Sequence, residues 1–144
     1  MLLLRLLQKP DRAPRFGRVL DDEPEVVELL DGDPLLSAAA LAEIQRPGND
    51  VLVSAATAWE ICTKHRLGKL EKAADVARDV SACLAEQGFM GLPVTIRHGE
   101  RAGALPGPHK DPFDRMLIAQ AMTEDLTLVS NEQAFDAYGV RRLW

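Results

Sequence analysis

Apolar and polar positions along the chain alternate between a two-residue and a 3.6-residue period, and this alternation predicts the elements. Val51-Leu52-Val53 is a short β-branched run suited to a buried strand. Ser54 follows as a helix cap, and the next positions read as a helix to about Leu67, closed by Gly68. Ser37 caps an alanine-rich helix to about Arg46, which Pro47-Gly48-Asn49 stops. A longer helix is expected from about Lys72 to Gln87, then a strand at Leu92-Pro93-Val94 and a helix over 96–104. The loop LPGPHKD (105–111) leads into a helix over 112–124, followed by a strand over 126–129, a helix over 132–138 and a strand over 140–143. Nearer the amino terminus, Arg18-Val19-Leu20 reads as a short strand and 25–30 as a short helix. Strands separated by helices predict an α/β fold, three layers with a central parallel sheet.

Composition narrows the class. The chain has 144 residues, 47% of them hydrophobic and 27% charged, enough to bury one core and too apolar for a disordered segment. No run approaches the roughly 18 apolar residues of a membrane span. The two cysteines, Cys62 and Cys83, lie in helix-like stretches and show no pairing pattern, so a reducing, cytoplasmic setting is expected. A net charge of −5 argues against general attraction to a phosphate backbone. The charge is also uneven. Residues 1–18 carry Arg5, Lys9, Arg12, Arg15 and Arg18 against Asp11 alone, whereas 21–33 holds seven acids and no base. MLLLRLL is too short for a signal-peptide core, and Pro10 and Pro14 break any helix there. Residues 1–15 therefore read as a poorly ordered extension and 16–144 as the folded domain.

In a parallel sheet, chemistry gathers at the carboxyl ends of the strands. Four places put an acid there: Asp21/Asp22, Glu60, Asp114 and Glu132. Carboxylates converging on one edge repel one another unless a cation sits between them, and hard ions such as Mg²⁺ or Mn²⁺ prefer such oxygen ligands. Each acid also has an ordinary reading. Glu60 is spaced to pair with Lys64 at i,i+4. Asp111-Pro112-Phe113-Asp114 is a helix start in which Asp111 is the cap; Asp114 is less fully explained by capping, because Met116-Leu117-Ile118 turns this end inward. Glu132 suits a helix amino terminus through the dipole. Ser130 reads as a strand-end turn or a contact to a metal's water, and Lys64 and Arg115 as phosphate contacts or solvated surface charges. His65, His98 and His109 lack metal-ligand spacing and read as surface or loop histidines. Trp59 and Phe113 read as core.

Taken together, VLVSAATAWEICTKHRLGKLEKAA (51–74), LPVTIRHGERAGALPGPHKDPFDRMLIAQA (92–121) and LTLVSNEQAFDAYGVRRLW (126–144) resemble the PIN-domain ribonuclease toxins of VapC type. SAATAWE and DPFDRMLIAQA carry most of the resemblance, which covers roughly residues 33–144. It implies a parallel α/β/α fold whose acidic pocket binds Mg²⁺ or Mn²⁺ and cuts single-stranded RNA. The family's second acid falls on Glu60, its third on Asp114 with Asp111 adjoining, and its fourth on Glu132, where SNE replaces the usual aspartate context. A cognate antitoxin and a homodimer are implied in the same way.

The first acid departs from the family pattern. Counting back from GDPLLSAAA places it at Asp22, but Glu23-Pro24 follows where the family has Thr-His, and the next helix, EVVELLD, lacks an aromatic. The expected set is therefore Asp22, Glu60, Asp114 and Glu132, with Asp21 the neighbouring choice for the first position. Two rival readings accompany it: a catalytically impaired PIN domain acting as an antitoxin- or RNA-binding module, and a generic α/β domain whose acids are caps and surface charges. The basic leader and the acidic block also fit a frameshift or misassigned start within residues 1–31, which sequencing the locus for an intact frame would refute.

Overall fold

The computed structural model describes the backbone of Leu6–Lys9 and, with side chains, residues 37–70 and 73–144. A five-stranded sheet has the order β3-β2-β1-β4-β5, formed by β1 (Leu6–Lys9), β2 (Asp50–Ser54), β3 (Met90–Leu92), β4 (Thr127–Val129) and β5 (Arg141–Leu143). β2 pairs with β3 in parallel, with Ser54 opposite Leu92, and β4 pairs with β5 in parallel, with Val129 opposite Leu143. Between these pairs runs β1, antiparallel to both, with Leu6 opposite Val53 and Val129. The α/β class holds, but the middle of the sheet is not parallel. Leu6–Lys9 falls inside the stretch expected to be a poorly ordered extension, and both of its edges are hydrogen-bonded here. The sequence offers the reason: LLQK supplies ladder donors at every position, and Pro10, which has no N–H, ends the run. The expected strand at 18–20, the helix at 25–30 and the acids Asp21 and Asp22 lie outside the described residues.

Six helices are described: α1 (Ala38–Gln45), α2 (Ala55–Arg66), α3 (Ala74–Arg78), α4 (Val80–Glu86), α5 (Ile96–Ala104) and α6 (Pro112–Glu124). A 3₁₀ turn covers Gln133–Tyr138. The caps read from sequence are in place: Ser37 Oγ accepts from Ala40 N–H at 3.0 Å and Ser54 Oγ from Ala56 N–H at 3.0 Å. The long helix expected over 72–87 is instead two short ones. Asp79 breaks it with φ −152° and ψ 82°, and its carboxylate caps α4 by accepting from Ala82 N–H at 2.9 Å. An aspartate at that position offers the backbone a local alternative to helix, and the chain takes it.

Strand alternation divides the core into two layers. Val51, Val53 and Val129 face Ala40, Ile44, Ile61 and Phe89 on one side. Leu128 faces Leu117, Ile118, Ala121 and Phe135 on the other, with Leu52 packed against that cluster. Truncating a wholly buried residue such as Leu117 to alanine costs about 2–5 kcal/mol. The two layers fix where the carboxyl ends of β2 and β4 deliver the next segments, on which Glu60 and Glu132 lie. No described helix is long and apolar enough to cross a membrane.

Candidate active site

Glu60 sits on the buried stripe of α2, which consists of Ala56, Thr57, Glu60 and Ile61. This three- and four-residue spacing carries one face of a helix into the core, so a charged residue on it is desolvated by position. Glu60 is 4% exposed, and Lys64 Nζ meets its Oε1 at 2.6 Å. The i,i+4 pairing anticipated from sequence is thus present, but around a buried carboxylate. One turn earlier, Thr57 Oγ1 is buried without a hydrogen-bond partner among the described residues.

Asp114 occupies the first turn of α6 and is also 4% exposed. Asp111 caps this helix, its Oδ1 accepting from Phe113 N–H at 2.9 Å and Asp114 N–H at 3.0 Å, and Pro112 fills the position where no N–H is needed. His109 Nε2 donates to Asp114 Oδ2 at 2.5 Å. His109 lies in a loop as expected, but its ring is largely buried against a site acid, edge-on to Phe135 with centroids 6.0 Å apart. The loop before it is tightly placed. Its N–H donates to Tyr138 Oη at 3.3 Å, and at Gly107, where φ is +96°, a Cβ would meet that same oxygen at 3.0 Å. Glycine alone suits that turn.

Arg115 anchors this loop. Its guanidinium donates to the carbonyls of Leu105 at 2.5 Å, Ala102 at 3.0 Å, His109 at 3.0 Å and Gly103 at 3.4 Å. These backbone bonds occupy the side chain that sequence offered as a phosphate contact. Gln120 was missed from sequence altogether. Wholly buried, it accepts from Ser54 Oγ at 2.5 Å and donates to Pro93 O at 3.2 Å, tying the start of α2 and the end of β3 to α6. Its signal was a lone amide inside the apolar run MLIAQAM.

Glu132 differs from the other two acids. It is half-buried and caps the 3₁₀ turn, Oε1 accepting from Ala134 N–H at 3.1 Å, while its own N–H donates to Ser130 Oγ at 3.1 Å. Ser130, wholly buried, makes this strand-end turn and donates its N–H to Leu143 O at 3.1 Å. His98, expected at the surface, is 1% exposed and serves the capping box of α5, its Nε2 donating to Glu124 Oε1 at 2.9 Å.

Trp59 corrects another expectation. It is 64% exposed rather than core, and its ring meets Phe113 edge-on with centroids 4.9 Å apart. The contact joins α2, which carries Glu60, to the first turn of α6, which carries Asp114. Among the described residues, no group of three or more histidine, cysteine, aspartate or glutamate side chains is arranged to hold a metal ion.

The PIN domain family model matches residues 25–140, well over half of the chain. The chain belongs to the PIN domain family. Members of this family are generally nucleases, typically metal-dependent ones. No curated protein and no solved structure matches it. The matched region contains Glu60, Asp114 and Glu132 and begins after Asp22.

The described donors fit a hard divalent cation in kind. Glu60 and Asp114 are oxygen ligands, desolvated, on adjacent helices, and the partnerless Thr57 hydroxyl lies one turn from Glu60. Each acid already has a cation-capable side chain against it, Lys64 on Glu60 and His109 on Asp114.

Proposed function

We propose that this PIN domain is a Mg²⁺- or Mn²⁺-dependent endoribonuclease toxin of VapC type, cutting single-stranded RNA and neutralised by a cognate antitoxin. The observation that carries the nuclease reading is the pair of buried carboxylates, Glu60 and Asp114, on two packed helices within the family match. The toxin role, the antitoxin, a homodimer and a cytoplasmic location rest on the resemblance of SAATAWE and DPFDRMLIAQA to that class. Glu60 and Asp114 would hold the ion, and Asp22 and Glu132 complete the proposed set. When bound, such an ion supplies a Lewis acid for phosphodiester hydrolysis. The chain's own residues do the rest. His109 fixes the Asp114 carboxylate through Oδ2, Arg115 holds the loop that carries His109, and Lys64 balances the charge of Glu60.

A second reading, an impaired PIN domain that binds antitoxin or RNA without cutting, is favoured by one observation. The family match begins at residue 25, beyond Asp22, where the first acid is expected. One experiment separates the two. Antitoxin-free protein is incubated with a mixed single-stranded RNA in Mn²⁺, Mg²⁺ or EDTA, beside Asp114→Asn and Asp22→Asn. Cleavage that needs metal and falls on the order of 10²–10³-fold in Asp114→Asn supports the nuclease. Folded protein that binds RNA and never cuts it establishes the impaired module. Undiminished cleavage in folded Asp114→Asn removes Asp114 from the mechanism.

A further inference from the structure

The surface of α2 that turns away from the core carries an arrangement that neither the fold nor the acids account for. Its exposed positions, from Ala55 to Lys69, are Ala55, Trp59, Cys62, Arg66, Leu67, Gly68 and Lys69. No acid is among them; the helix's one carboxylate, Glu60, is buried and paired. The last turn is basic, with Lys64, His65 and Arg66, and Lys69 follows just beyond the helix. Trp59 and Arg66 are seven residues apart and so share one stripe, about 10 Å from each other along the helix axis.

Trp59 is the aromatic part of this stripe. Burying an indole that is 64% exposed would be favourable, yet the fold leaves it out. Phe113 packs against it with the ring planes 67° apart and still leaves it largely exposed. The Arg66 side chain makes no hydrogen bond or ion pair among the described residues. The contrast is with the opposite edge of the sheet, where Arg101 and Arg141 border a cleft of about 280 Å³. There Arg101 donates to Thr123 Oγ1 at 3.1 Å and Arg141 to Asp125 Oδ1 at 2.9 Å, so both guanidiniums are already engaged.

We propose that α2 is the track for single-stranded RNA: an unpaired base stacks on Trp59 and the phosphates of the same strand lie along Arg66 and Lys69. An aromatic face combined with a cationic flank is the common means of holding single strands without reading their sequence. The placement gives the track a purpose. Trp59 and Phe113 join the two helices that carry Glu60 and Asp114, so a base on Trp59 brings its strand to the elements that hold the acids. It also fits the net charge of −5, because the attraction comes from cations gathered at the end of one helix and not from the charge of the whole chain. This inference rests on the nuclease reading.

The test is binding of a fluorescein-labelled, unstructured 20-nucleotide RNA to the full-length Asp114→Asn chain in EDTA, followed by anisotropy. Trp59→Ala, Trp59→Phe and Arg66→Glu are each added to that background, and each variant is also sized by sedimentation. Trp59→Ala is expected to raise Kd about tenfold and Trp59→Phe to restore most of the loss, because any aromatic face stacks. Arg66→Glu should weaken binding and flatten its salt dependence. The same RNA annealed to its complement should bind more weakly and be indifferent to Trp59→Ala. Parent protein that binds the single strand while Trp59→Ala stays within twofold overturns the track and leaves the nuclease reading standing. A change of oligomeric state in Trp59→Ala with unchanged RNA affinity overturns it in favour of a second copy covering this face. Parent protein that neither binds nor, as wild type with metal, cuts RNA overturns both.

Discussion

The candidate carboxylates are held in two different ways. Glu60 and Asp114 are almost wholly buried, and each touches a side chain able to carry positive charge. Asp111 and Glu132 are more open to solvent and accept backbone N–H groups at the start of a helix or turn. The second arrangement explains itself, because a cap satisfies donors that the helix would otherwise leave unpaired. The first does not. Desolvating a carboxylate opposes folding, and the same packing volume filled by an apolar side chain would be at least as stable. A chain that keeps two such buried acids is carrying them for something other than stability, which gives the two residues more weight as functional candidates.

The strongest way to break this comparison is to remove the counter-cation. Lys64→Met leaves Glu60 buried without its partner and should lower stability by about 2 kcal/mol in urea unfolding. That figure lies between a buried pair and a surface one, because the ammonium is 28% exposed. The double variant Glu60→Gln/Lys64→Met should recover most of the loss, since no charge is then stranded. A coupling below about 0.5 kcal/mol in that cycle would put Glu60–Lys64 among ordinary surface pairs, and the contrast with Glu132 would collapse.

A smaller effect is expected at Glu132, and here the choice of variant sharpens the comparison. Glu132→Ala deletes the acceptor for Ala134 N–H and should cost about 1 kcal/mol. Glu132→Gln keeps an acceptor at Oε1 and removes only the charge, so its melting temperature should match wild type. Under the proposed four-acid set, metal-dependent cleavage by Glu132→Gln falls tenfold or more. Full cleavage by that variant would leave Glu132 as a cap and nothing else.

Much of this was legible along the chain because it is local. Ser37, Ser54 and Asp111 announce helix starts through interactions that span three residues, and the Glu60–Lys64 spacing contains its own geometry. The misreadings come from residues whose setting is decided far away in sequence. The ring of His109 meets Asp114 in a loop that Tyr138 holds from 29 residues away, and His98 meets Glu124 across two packed helices. Trp59 is a different lesson. Its neighbours Ala56, Thr57, Glu60 and Ile61 form the buried stripe, so its position on the helix points it outward, and the apolar character of the residue outweighed that period in the sequence reading. At Asp79, a helix-compatible pattern hid a side chain that caps the next turn. The strand at Leu6–Lys9 was hidden by length, since four residues carry too little periodicity to register.

The smallest effect belongs to an acid that is neither buried nor a cap. Asp136 is exposed and receives Arg142 Nε at 2.7 Å and Nη2 at 2.9 Å, and those hydrogen bonds hold its carboxyl below the ordinary value of 3.8. Asp136 in turn pushes the Arg142 guanidinium up, so the arginine stays charged across the range of interest. A carboxyl whose folded pKa lies below its unfolded one stabilises the fold fully above the unfolded value, and that contribution disappears as pH falls through the folded one. Asp136→Asn should therefore melt slightly below wild type at pH 6, and the gap should close as the pH drops beneath about 4. Because Arg142 also donates to Ser130 O at 3.0 Å, the strand end before Glu132 keeps one of its anchors in the variant, and cleavage should be unaffected. A gap that widens in acid would show that Asp136 is linked to the buried acids, and solvent exposure would then no longer divide the carboxylates into two kinds.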